Sequence, residues 1–192
     1  MPTPDRTSLA QIVEAAREIL ESAGLAGLTM QAVADRVGVR APSLYKRVRS
    51  RGDLIALVAD ATLQDMGARL DAIATGADPR RDLTELARAF RAFAHERPAG
   101  YRLIFDWGPE TVKLDQSSFA RAAAPLLRIA ADLAGPEHEL EAARTITAWA
   151  NGFLSMELAG AFNLGGDLDL AFEYGVARLA DAFIRSKPAA IG

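Results

Sequence analysis

TMQAVADRVGVRAPSLYKRVRSR, Thr29 to Arg51, is the stretch whose reading decides the fold. Thr29 opens it as an N-cap, because its hydroxyl can accept a bond from a backbone N–H that a helix start leaves unpaired. Met30, Val33, Ala34 and Val37 follow at helical spacing and form one apolar stripe. Gly38 comes directly after, where a left-handed residue ends a helix. Val39 plugs the turn, and Arg40 and Ala41 lead out of it. Pro42 suits the first turn of a second helix, where its missing N–H costs nothing. Ser43 to Val48 are expected to form that helix, with Leu44 and Val48 facing inward. Two short helices joined by a tight glycine turn describe a helix-turn-helix, whose second helix enters the major groove of DNA.

Charge points the same way. Six basic residues (Arg36, Arg40, Lys46, Arg47, Arg49 and Arg51) and no acidic one lie between Arg36 and Arg51, in a chain of net charge −3. Residues 1–53 carry +2 and residues 54–192 carry −5, so the N-terminal part is the better partner for phosphate. The competing reading is a solvated cationic loop beside an ordinary helical hairpin.

Composition narrows the classes. The 192 residues are 50% hydrophobic, enough for a real core. There is no cysteine, which excludes disulfides, thiolate catalysis and sulfur-ligated zinc and agrees with a cytoplasmic location. The start, MPTPDRTSL, has no apolar segment, so no signal peptide is expected. No long uncharged apolar run suggests a membrane span.

The remaining chain reads as helices throughout. Met1 to Arg6 is expected to be a frayed arm. Ser8 or Thr7 can cap a helix with the stripe Leu9, Ile12, Val13, Ala16, Leu20 and Ala23, ended by Gly24. Asp53 can cap a long helix that ends near Gly76. Asp82 opens another, carrying Leu83, Leu86, Phe90 and Phe93. Between Pro98 and Pro109 lies the aromatic cluster Tyr101, Phe105 and Trp107, either core filler or one wall of an apolar ligand pocket. His95, Arg102 and Asp106 are near it in sequence. Pro125 sits inside a further helix and either kinks or restarts it. A helix from about Pro136 to about Phe162 has two apolar stripes. One contains Phe153 and Leu154; the other contains Trp149, Gly152, Met156, Ala159 and Gly160. A helix apolar on two faces is buried on two sides. Asp167 can cap the last helix, with Phe172, Val176, Leu179 and Phe183 in its stripe. Such a hairpin can pair with its own symmetry copy as a four-helix interface.

Leu9 to Leu57 resembles the DNA-binding domain of the TetR family of bacterial transcriptional regulators. Thr29, Gly38-Val39 and Leu44-Tyr45 stand in register with that pattern. Arg47-Val48 stands where His-Phe is usual, and Arg51 where Lys is usual. The segments from Arg80 to Phe105, Ala148 to Phe162 and Asp167 to Phe183 resemble the family's C-terminal domain of the Trp-His-Gly type, with Asn151 at the His position. The resemblance implies an all-α chain of about nine helices. Residues 1–53 are then a three-helix DNA-binding head, and residues 54–192 a ligand-binding and dimerisation bundle.

It also implies a homodimeric repressor, released from a pseudo-palindromic double-stranded operator by a small effector. The apolar body suits a hydrophobic or amphipathic effector. Thr29, Tyr45, Arg47 and Arg51 are expected at phosphates, and Arg40, Ser43 and Lys46 at base edges. Phe90, Phe93, Tyr101, Phe105, Trp107, Trp149 and Met156 are expected to line the effector pocket. Phe153, Gly160, Phe172, Val176, Leu179 and Phe183 are expected at the dimer interface. No catalytic residue, cofactor or metal is expected, because His95 and His138 give no ligand spacing and no nucleophile motif occurs. A non-specific DNA-coating or scaffolding protein and a helical enzyme assembled only in space are the alternatives.

Overall fold

The computed structural model describes residues 7–105 and 115–186. The expected arm at residues 1–6, and Asp106, Trp107 and Pro109, lie outside the described residues. The described residues form α1 (Leu9–Gly27), α2 (Met30–Arg36), α3 (Ala41–Leu44), α4 (Arg51–Asp71), α5 (Pro79–Glu96), α6 (Pro98–Phe105), α7 (Gln116–Ala134), α8 (Glu139–Leu158) and α9 (Leu168–Ser186). A short 3-10 turn, Pro136–His138, precedes α8, and no strand occurs among the described residues.

Several boundaries follow the local chemistry. Ser8 and Gln11 form a reciprocal capping box at the start of α1. Gly24 takes φ 67° and breaks α1 where its apolar stripe ends, and the helical assignment resumes to Gly27. Asp167 accepts from the N–H groups of Asp169 and Leu170 and caps α9. Ser50, not Asp53, caps α4, through a bond from the Asp53 N–H at 3.1 Å. The hairpin helix α8 stops at Leu158, short of Phe162. Pro125 lies within α7, which continues through it.

The chain divides into two compact units, residues 1–65 with 97–119, and residues 66–96 with 120–192. In the first, Ile12, Ala16, Leu20, Leu28, Met30, Val33, Leu44, Val48, Leu54 and Val58 make one buried core. The start of α4 and helix α6 pack on it, with Ala99 and Leu103 at its edge. In the second, Leu83, Leu86, Phe90 and Phe93 of α5 are buried, as are Ile146 and Leu154 of α8 and Phe172, Val176 and Ala180 of α9. Phe183 packs on a small alanine cluster of α7 and α8.

Candidate DNA-binding surface

The helix-turn-helix is assembled by backbone bonds of known purpose. Thr29 Oγ1 accepts from Ala32 N–H at 3.1 Å and starts α2. Gly38 has φ 71°, and Val39 N–H returns to Ala34 O at 2.9 Å, closing the turn. A side chain at position 38 would make that conformation strained. Helix α3 is shorter than expected: regular helix covers Ala41–Leu44 only. Tyr45 to Arg47 form a turn, and Val48 N–H bonds to Leu44 O at 2.9 Å. That bond brings Val48 into the core at 1% exposure and leaves Tyr45, Lys46 and Arg47 outside.

The expected DNA contacts separate into two groups. Arg40 just before α3, Ser43 on it, and Tyr45, Lys46 and Arg47 in the turn after it are all exposed, Tyr45 by 52%. Arg40, Lys46 and Arg49 have no side-chain partner among the described residues. Arg51 differs. It is half-buried and donates from Nε to Leu28 O at 2.8 Å and from Nη2 to Leu25 O at 2.6 Å. Its guanidinium therefore clamps the end of α1, where carbonyls lack helical partners. Arg36 is also committed, through a 2.6 Å pair with Glu18 of α1. The outward charge is thus narrower than the sequence count. Beside it, Arg47, Val48 and Arg49 border an open cleft of about 560 Å³ with Asp53, Asp60, Asp115 and Ser118.

The residues expected around an effector fall in both units. Tyr101 and Phe105 belong to the first unit and stack on each other at 5.1 Å. Phe90, Phe93, Trp149 and Met156 belong to the second. Phe90 and Phe93 are buried on α5, and Arg69 lies over the Phe93 ring. Trp149 meets Phe153 and Phe172 at 5.8 and 5.3 Å. Met156 is 45% exposed on the outer side of α8, which takes it out of any interior lining. The dimer expectation also divides. Phe172 is 0% and Val176 2% exposed within the single chain, so both serve its own core. Leu179, Phe183 and Phe153 are half-buried, while Gly160 is exposed. Like Gly160, the residues Gly152 and Met156 of α8, Ala159 just after it, and Leu170 and Tyr174 of α9 are exposed.

A polar knot beside the aromatic cluster leaves no local signature in the sequence. Arg91 of α5 donates from Nε to Glu157 of α8 at 3.0 Å and pairs with Asp169 of α9 at 2.7 Å. Its guanidinium carbon stands 4.9 Å from the Phe172 ring centroid. His95 Nε2 reaches the same Glu157 carboxylate at 3.2 Å. The Arg91 bond, with His95 second, holds the Glu157 carboxyl below its ordinary range despite burial. Arg91 is raised above its own, chiefly by the bond to Glu157. The partners are far apart in sequence, so the only early sign was an arginine beside an apolar stripe.

An all-helical chain with a helix-turn-helix in a small N-terminal core and a larger helical part after it has the construction of a DNA-binding regulator. More specifically, the chain belongs to the TetR family. Residues 12–58 match the family described as bacterial regulatory proteins, tetR family, and residues 83–179 match the tetracyclin repressor-like C-terminal domain. The HTH-type transcriptional regulator Rv0681 of Mycobacterium tuberculosis is 28% identical over 92% of this chain and 82% of its own length. The HTH-type transcriptional activator FasR of Mycolicibacterium smegmatis is 34% identical over 50% of this chain and 44% of its own. Among solved structures, the protein SCO4313 is 29% identical, with TM-score 0.74 over 88% of this chain and 93% of its own. The family comprises transcriptional regulators, not enzymes, and this chain is a DNA-binding transcriptional regulator. No helix among the described residues is long and apolar enough to cross a membrane.

Proposed function

We propose that the chain acts as a homodimeric repressor that reads a pseudo-palindromic operator and leaves it when a small hydrophobic or amphipathic effector binds. Residues 1–53 act as the reading head and residues 54–192 as the effector-binding and dimerising body. The observation that carries this reading is the pair of cations, Arg40 and Lys46, around the exposed face of α3, which have no partner among the described residues. Arg40, Ser43 and Lys46 read base edges, Arg and Lys favouring guanine O6 and N7. Thr29, Tyr45 and Arg47 hold phosphates and set register without carrying sequence information. Arg51 shapes the head from inside. The exposed apolar residues of α8 and α9 pair with those of a second copy, which places two heads in successive major grooves, about 34–36 Å apart. Phe90, Phe93 and Trp149 supply apolar surface near the effector.

The test is a selection of genomic fragments on the full chain at physiological salt, followed by titration of the best fragment against random DNA of equal length. Saturable binding about a thousandfold or more tighter than to random DNA, at two chains per site, supports the operator reader. Equal binding to both with a steep salt dependence supports a DNA-coating role instead. No binding to any DNA at low salt overturns the reading of the head.

A further inference from the structure

We propose that Arg17 and Glu21, one helical turn apart on α1, are positioning residues that couple the reading head to the points where the chain leaves and re-enters the first unit. The inference rests on the DNA-binding reading above. The first unit ends in α4 at residue 65 and resumes at residue 97. Arg17 Nη2 lies 2.9 Å from Asp65 Oδ2, on the last residue before that exit. Arg97 Nε, on the first residue after the return, lies 3.7 Å from the same oxygen. Glu21 then takes the start of α6: its two carboxylate oxygens accept from Ala99 N–H at 3.0 Å and Gly100 N–H at 2.8 Å. The approach is close at Gly100. A Cβ at Gly100 would stand 3.0 Å from Glu21 Oε1 and 3.1 Å from Thr62 Cγ2.

The origin of this cap matters. A cap from the residue before a helix travels with that helix, whereas a cap lent by another helix does not. When α6 shifts, either α1 follows it or two partly buried backbone donors lose a charged acceptor. Helix α1 is in turn bound to the helix-turn-helix, through the Glu18–Arg36 pair and through the packing of Ile12, Ala16 and Leu20 in the core that holds Val33 and Leu44. Residue 97 follows directly on α5, so a displacement arriving along the chain from the second unit meets α1 first at these two side chains. Linkage makes the effect reciprocal: DNA on the head must then steady the start of α6.

Hydrogen exchange of the full chain, read by peptide mass with and without the best fragment from the selection, tests this. In the wild type, DNA is expected to slow exchange over residues 40–48 and also over 97–105. In Glu21→Gln, exchange over 97–105 without DNA is expected to rise about tenfold. It should no longer respond to DNA, while 40–48 stays protected. Gly100→Ala keeps the carboxylate but crowds Glu21 Oε1 with a Cβ at 3.0 Å, and is expected to weaken the coupling of the same peptide. Slowing over 97–105 that persists at wild-type size in both variants overturns the proposal. So does protection of 40–48 in the wild type with none over 97–105, which leaves DNA binding intact. Absence of protection at both segments in the wild type overturns the DNA-binding reading and the coupling with it.

Discussion

Arg40, Lys46 and Arg49 in the first unit end in solvent, whereas Arg80, Arg88 and Arg91 on α5 each end on a carboxylate of another helix: Asp181, Glu173 and Glu157. Both groups are cationic side chains on helices or the turns beside them. The difference lies in what faces them. On α5 the acidic partners come from α8 and α9, so the cations join three helices of one unit. Around α3, Arg40, Lys46 and Arg49 meet no carboxylate among the described residues, and their charge stays available to an outside anion. A cationic cluster in a sequence therefore marks a nucleic-acid surface only where the fold withholds partners from it.

The sharpest way to break this comparison is to remove cations from each side and measure binding and stability together. Arg40→Ala with Lys46→Ala should weaken binding to the selected DNA by about a hundredfold or more, from roughly 1–3 kcal/mol for each base-reading contact. The melting temperature should barely move, because neither side chain holds the fold. A large fall in melting temperature with unchanged affinity would reverse the assignment. Glu157→Ala is the mirror experiment. It leaves Arg91, 17% exposed, with only the solvent-exposed Asp169 among its two acidic partners. Breaking a largely buried pair in this way should cost about 2 kcal/mol in urea denaturation, with affinity per folded molecule unchanged. The sign of its pH dependence follows from the bond to Arg91. Glu157 is held below its ordinary value of 4.5, so its contribution is full above that pH and disappears as the pH falls through the lowered value. The gap between wild type and variant should therefore be open at neutral pH and close in acid.

A smaller effect tests the aromatic packing behind the knot. A Cβ on Gly175 of α9 would lie 2.2 Å from Trp149 Cζ2 and 2.8 Å from its Cε2. Gly175→Ala must push the indole away from Phe172 and should cost about 1–3 kcal/mol. A shift in tryptophan emission is expected in the folded state. Unchanged emission and stability would mean that α8 and α9 are less tightly held than this contact requires.

What the sequence reveals depends on the range of the interaction. Thr29, Gly38 and Asp167 act on backbone groups within five residues, and each was readable from its neighbours. The all-helical class followed from long apolar periodicity. The length of α3 was not readable, because Val48 turns inward to reach a core formed by α1 and α4. The fate of Arg51 was also hidden, since its acceptors lie 23 and 26 residues upstream. On α8 both stripes are apolar, and periodicity alone cannot say which is covered. The structure turns Ala150 and Leu154 inward and leaves Gly152, Met156 and Gly160 outside. On α9 the same ambiguity put Phe172 and Val176 on an interface when their own chain buries them.

The finest test compares two arginines that are both exposed. Arg36 is paired with Glu18 at 2.6 Å, and Arg49 has no partner among the described residues. If partner supply decides which cations meet DNA, Arg49→Ala should weaken binding to all sequences severalfold. It should also lower the slope of log affinity against log salt by about one, because one phosphate contact releases about one counterion. Arg36→Ala should leave that slope unchanged, since its charge is already answered inside the protein, and an exposed pair of this kind contributes at most about 1 kcal/mol to stability. Equal changes in slope for the two variants would show that DNA draws Arg36 away from Glu18. The outward charge would then be set by the DNA as it binds, not by the folded chain before it does.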